Sequence, residues 1–159
     1  MSKTFLQSAF FVAIVLLHSA CANMGLGTPK YALVINNVDW PLQELQGLVA
    51  YTVPTGLRST STNGREFYSK HFVLDGNKYK LAGDSLDRYT ATVFVLGDSR
   101  PYDLEIIVTH EKRVLLSTGF DYKEVGHDLM LARELEFKFK QELAKRREDR
   151  NIIDDFRVF

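Results

Sequence analysis

Ser85 is the first residue to weigh as a nucleophile, standing in the run Gly83-Asp84-Ser85-Leu86. A serine hydroxyl becomes reactive when a histidine base and an orienting carboxylate lie within hydrogen-bond reach. The bases on offer beyond the leader are His71, His110 and His127. None has the H-x₃-H or H-E-x-x-H spacing of a metal site. His110 continues the face of Ile106 and Val108, which suits a strand-end histidine, and His127 borders a helix start, where it or Asp128 can cap. Arg58, Arg65 and Lys70 form a second group around the Ser/Thr-rich stretch 58–62 and Asn63-Gly64. Their cations and hydroxyls could bind an anionic group such as a phosphate or a sugar acid. The same residues suit an exposed strand, where Thr fits the pleat and Arg blocks edge pairing, and that reading is preferred.

These side chains must be positioned by elements that the pattern of apolar residues predicts. Tyr31 to Ile35 reads as a first strand. Asp39-Trp40-Pro41 reads as a helix start, with Asp39 as cap and Pro41 in the first turn. Leu42, Leu45, Leu48 and Val49 recur at helical spacing, predicting a helix over 40–51 that Pro54 and Gly56 end. Leu57 to Thr62 and Arg65 to Val73 read as a hairpin, since Asn63-Gly64 suits the positive-φ positions of a type I′ turn. Asp75-Gly76-Asn77 is a second turn before a strand at 79–82. Tyr89 to Leu96 and Tyr102 to His110 are the clearest strands. In the latter, Tyr102, Leu104, Ile106 and Val108 share one face, with Asp103, Glu105 and Thr109 opposite. Val114 to Leu116 predicts one more short strand. Leu131, Leu135, Phe139 and Leu143 repeat every four residues and predict a long last helix, its other face charged from Arg133 to Arg147. Residues 151–159 read as a separate tail that docks on the domain or awaits a partner.

The run Gly83-Asp84-Ser85-Leu86 resembles the signature of the GDSL esterases. That resemblance would imply a nucleophile ending an N-terminal strand of a parallel sheet, with a base in a later Asp-x-x-His. Here the run falls mid-chain, no Asp-x-x-His follows, and the family's Gly-x-Asn-Asp block is missing. Turn preference explains Gly-Asp-Ser equally well, and Gly97-Asp98-Ser99 repeats it at the next hairpin. A Ser85-dependent esterase is the least favoured function.

The leader carries the strongest cellular signal. Lys3 supplies a positive start, Phe10 to Leu17 an apolar run, and Ser19-Ala20-Cys21-Ala22 the small residues of a cleavage site. Ser19-Ala20-Cys21 resembles the lipobox of bacterial exported lipoproteins, although His18 stands where that pattern has Leu. The resemblance implies lipidation at Cys21 and an envelope membrane, periplasm-facing or outer. Ala20-Cys21-Ala22 also reads as an A-x-A site cut before Asn23. The 18 residues from Phe5 to Ala22 allow an uncleaved anchor as a third reading. One cysteine makes no internal disulfide, whereas a cysteine at a signal boundary has an evident use.

With 20 basic and 20 acidic side chains, the chain has no excess of cations to neutralise phosphates, which argues against nucleic acid as a partner. Its 45% hydrophobic and 12% aromatic content suits a folded domain. There is no phosphate loop and no redox pair of cysteines, so neither cofactor nor metal is expected. The expected organisation is a signal at 1–22, a tether at 23–30, one α+β domain at 31–150 and a tail at 151–159. The predicted fold is an antiparallel β-meander of about five or six strands packed against one short early helix and one long C-terminal helix. This order resembles the helix-grip, BamC-like small domains of outer-membrane assembly lipoproteins. It implies a non-enzymatic envelope lipoprotein with a membrane and a protein as partners. The alternative is a periplasmic carrier of a small apolar ligand or lipid, with Trp40, Phe94, Phe120 and Phe139 as candidate lining.

Overall fold

The computed structural model describes residues 31–155, with side chains described from 31 to 146. The signal, the tether, Cys21 and the last four positions of the tail lie outside the described residues.

The fold is α+β: an eight-stranded antiparallel sheet with two helices. The strands are β1 (Leu33–Val38), β2 (Leu57–Thr60), β3 (Glu66–Ser69), β4 (Phe72–Asp75), β5 (Lys78–Leu81), β6 (Asp87–Leu96), β7 (Tyr102–Leu116) and β8 (Gly119–His127). Helix α1 (Leu42–Thr52) follows β1, and α2 (Leu129–Asp155) closes the chain. Two long strands, β6 and β7, make the spine, paired over ten rungs from Asp87↔Lys112 to Leu96↔Asp103. The free side of β7 is shared end to end by β1 and β8, and the free side of β6 by β3 and β4. β2 then pairs with β3, and β5 with β4.

Alternation along the spine puts Ala91, Val93 and Val95 of β6 beside Leu104, Ile106 and Val108 of β7 on one face. Leu45, Leu48 and Val49 of α1 and Leu131, Ala132, Leu135 and Phe139 of α2 join them in a single core. Both helices therefore serve the same face of the sheet, as an apolar stripe and an apolar sheet face must. The opposite face is left open.

Several local features depart from the expected ones. The strand count is eight, not five or six. Residues 114–116 are not a separate strand; they extend β7 to 15 residues, against which β8 pairs. Asp39 does not cap α1. The helix begins after Pro41, whose carbonyl accepts from the amides of Glu44 and Leu45, and Asp39 lies exposed 4.0 Å from Arg100. The hairpin at Asn63-Gly64 is not type I′, because Gly64 alone takes a positive φ of 68°. Asn63 instead accepts, through its side-chain oxygen, from the Ser61 hydroxyl and the Arg65 amide. Of the two capping candidates, His127 and Asp128, it is Asp128 that caps α2: its carboxylate accepts from the amides of Met130 and Leu131, both at 3.0 Å. Helix α2 runs to Asp155, into the segment expected to be a tail.

Candidate functional site

The strand expected over 65–73 is broken by a β-bulge, and the bulge creates the most polar site on the open face. Tyr68 pairs with Thr92 and Phe72 with Tyr89, so three residues (69–71) face two (90 and 91). One extra residue reverses the alternation downstream. Phe67, Ser69 and Phe72 all point to the core, and all three are fully buried. His71 is thereby turned to the open face, where regular alternation would have buried it. Ser69 closes the bulge: its hydroxyl accepts from the Ala91 amide at 2.8 Å and donates to the Lys70 carbonyl at 2.9 Å.

On the open face His71 sits at the centre of a network drawn from four strands. Nε2 lies 2.7 Å from Nη1 of Arg58, and Nδ1 lies 2.8 Å from the Thr90 hydroxyl. Glu111 stands 3.8 Å from Nδ1. Arg88 donates through Nε to Glu111 at 2.6 Å and lies over the ring of Tyr122, 3.5 Å from its centroid. The Tyr122 hydroxyl donates to the Ser85 carbonyl at 2.7 Å. An arginine always donates, so its bond to Nε2 requires a neutral imidazole whose proton is on Nδ1. Electrostatics agree: burial, then the cations of Arg88 and Arg58, hold the His71 pKa below the ordinary histidine value, with Glu111 opposing.

That direction predicts a pH dependence. The unfolded chain takes up a proton at the ordinary value near 6.5, whereas the folded one resists until the pH is lower. Stability is thus full above about 6.5, falls as the pH drops through the window beneath it, and levels off once folded His71 protonates. Thermal melts between pH 7.5 and 5 should show this slope, and His71→Gln should flatten it. A His71 NMR titration at or above the ordinary value would contradict the assignment.

The expected site residues are dispersed. Arg58 joins the His71 network. Arg65 instead donates to the carbonyls of Gly97 and Asp98, tying the β2–β3 loop to the β6–β7 loop. Lys70 is exposed at the other end of β3, so Arg65 and Lys70 are separated by about 17 Å of extended chain. The three do not converge on one anion. Ser85 lies in the turn before β6, and both its amide and its hydroxyl donate to the Ala82 carbonyl. The histidines are engaged elsewhere: His110 stacks on Tyr89 and bonds Asp87 at 2.8 Å, and His127 stacks on Tyr31 with Glu124 at 3.5 Å. The four aromatic residues of the carrier reading do not line one space. Trp40 and Phe139 belong to the core, Phe94 lies on the open face between Glu66 and Glu105, and Phe120 is 64% exposed. Among the described residues, no group of three or more His, Cys, Asp or Glu side chains is placed to hold a metal.

A second feature grows out of the same face. The last rung that β7 shares with β6 is Lys112↔Asp87, followed by one bond from the Arg113 amide to the Leu86 carbonyl. Beyond it β7 pairs only with β8, through Val114↔Asp121, Leu115↔Phe120 and Leu116↔Gly119. A two-stranded arm results, reaching about 10 Å past the sheet. Its tip is apolar and largely exposed: Leu115 is 74% exposed and Phe120 64%.

No known family, curated protein or solved structure matches this chain. Its chemistry is therefore read from these two features. The network is a set of polar groups bonded to one another; the arm is a set of exposed apolar groups. Glu111, Arg88, Tyr122 and the arm were not expected from the sequence. Parity along 87–96 and 102–116 could have placed Arg88 with Thr90, and Thr109 with Glu111, on one face. Their convergence with His71 depends on the bulge.

Proposed function

We propose that the chain is a non-enzymatic accessory module of the bacterial cell envelope, held at a membrane through an acylated Cys21 and using the β7–β8 arm as its contact surface. The observation that carries the reading is the arm. Large exposed apolar side chains gathered at one projecting point mark an interaction surface, because scattered ones are common and clustered ones are costly in water. Membrane attachment is assigned to Cys21 because it ends the lipobox-like run Ser19-Ala20-Cys21. Acyl chains on a single cysteine suffice, at about 0.8 kcal/mol for each buried CH₂.

Intact mass spectrometry of the full chain from membrane and soluble fractions tests the anchor. A mature mass beginning at Cys21 with added acyl groups is expected, and Cys21→Ala should abolish it and release the protein. An unmodified mass beginning at Asn23 in the soluble fraction would remove the anchor from the reading.

A further inference from the structure

We propose that the tip of the β7–β8 arm inserts into a lipid bilayer bearing anionic headgroups. This rests on the reading of the arm as the contact surface and names what it contacts.

The shape of the arm is the first argument. Leu115 and Phe120 face each other on one rung, Leu116, 47% exposed, alternates to the other side of the hairpin, and only Ser117 and Thr118 close the turn. This is a convex apolar point, not a groove, and a bilayer receives a convex point without needing a matching pocket. A projection of about 10 Å also equals the depth at which interfacial segments bury their apolar groups.

Charge is the second argument. Lys112 and Lys123 share the rung at the base of the arm and Arg113 stands one residue beyond, with Asp121 nearer the tip; Lys112 lies 3.6 Å from Asp87, and Glu111 and Glu124 pair one rung further into the sheet. These cations sit below the apolar tip, at the level where headgroups would lie once the tip is buried. Arg113 covers one side of Phe120, 3.9 Å from the ring centroid, so its apolar plane follows the ring while its charge stays at the rim. The three cations thus form a band between the apolar tip and the acids behind it, in a chain with no net charge.

Rigidity is the third. The turn that carries Ser85 buttresses the arm: Arg113 donates to the Asp84 and Leu86 carbonyls at 3.1 and 2.7 Å, and Tyr122 to that of Ser85. Leu86, 72% exposed, adds an apolar side chain at the base. A braced hairpin loses little conformational freedom on insertion, so more of its apolar burial appears as binding. The Gly-Asp-Ser turn thus holds the arm in place.

The test uses the full chain with Phe120→Trp, in vesicles containing phosphatidylglycerol and lipids brominated on their acyl chains. The parent carries one tryptophan, Trp40, which is buried in the core. The variant is expected to show a blue-shifted component quenched by bromine that the parent lacks. Adding Leu115→Asp should lower the ratio of inserted to free tips about tenfold. Because both positions are highly exposed, unchanged melting temperatures are expected and serve as the folding control. Sedimentation of the chain with vesicles reports the Cys21 anchor separately. Vesicle-bound protein in which the introduced tryptophan is not quenched would overturn tip insertion, leave the anchored module standing and assign the tip to a protein partner. Equal quenching in vesicles of phosphatidylcholine alone would overturn the requirement for anionic headgroups. A chain that neither sediments with vesicles nor shows quenching would remove both readings.

Discussion

Phe139→Ala is expected to destabilise the domain by about 3–5 kcal/mol, read from urea unfolding of parent and variant. Helix α2 reaches the core through Leu131, Ala132, Leu135 and Phe139, with Leu143 packed at the rim. Phe139 is the largest of these and is fully buried. Removing its ring opens a cavity between helix and sheet that one helical stripe cannot close by relaxing. Small domains have only about 5–15 kcal/mol in total, so the variant should sit near the edge of folding. A loss under about 1 kcal/mol would mean that α2 is loosely seated and that the core is held mainly by α1 and the sheet.

Ser69→Ala should cost about 1–3 kcal/mol although it removes a single oxygen. The Ser69 hydroxyl is fully buried and is the acceptor for the Ala91 amide in the bulge. Alanine leaves that N–H without a partner in a place water does not reach. Ser59→Ala, on the exposed strand β2, is the control and should change stability by no more than about 0.5 kcal/mol. If Ser69→Ala proves equally harmless, the bulge is not held by this hydroxyl. The two substitutions probe different things, the layer between helix and sheet and the register within the sheet. They are expected to add when combined.

Residues whose pattern reflects burial were legible before the structure. Tyr102, Leu104, Ile106 and Val108 alternate because one face of β7 is buried, and Leu131, Leu135, Phe139 and Leu143 recur because one face of α2 is. β8 was not legible, for the same reason in reverse. Gly119 to His127 is mostly exposed, so nothing imposes an alternating apolar pattern on it, and it is held by backbone bonds to the extension of β7. The break at 69–71 was equally hidden. A bulge leaves no compositional mark, and Ser69, Lys70 and His71 read as an ordinary continuation of a strand. Asp39 shows the opposite error, a residue well suited to capping that the chain does not use because Pro41 starts the helix two residues later. The candidate site suffered most. Arg58 was singled out, but its partner His71 faces it only because one added residue reverses the pleat.

The layout of the sheet has a consequence for how the protein behaves in concentrated suspension. Exposed strand borders are templates onto which another chain can add. Here the border beside β7 is split between β1 and β8, and the far border between β2 and β5. β2 and β5 offer only four residues each, and they carry Arg58 on one and Lys78 and Lys80 on the other. Asn37, with a φ of 59°, bends the outer strand β1 out of the extended form near its end. An intruding strand would find a short, charged edge at β2 and β5, a kink at β1, and on the longer β8 the charges of Asp121, Lys123 and Glu124. Many copies crowded together could therefore lie side by side without zipping into a common sheet.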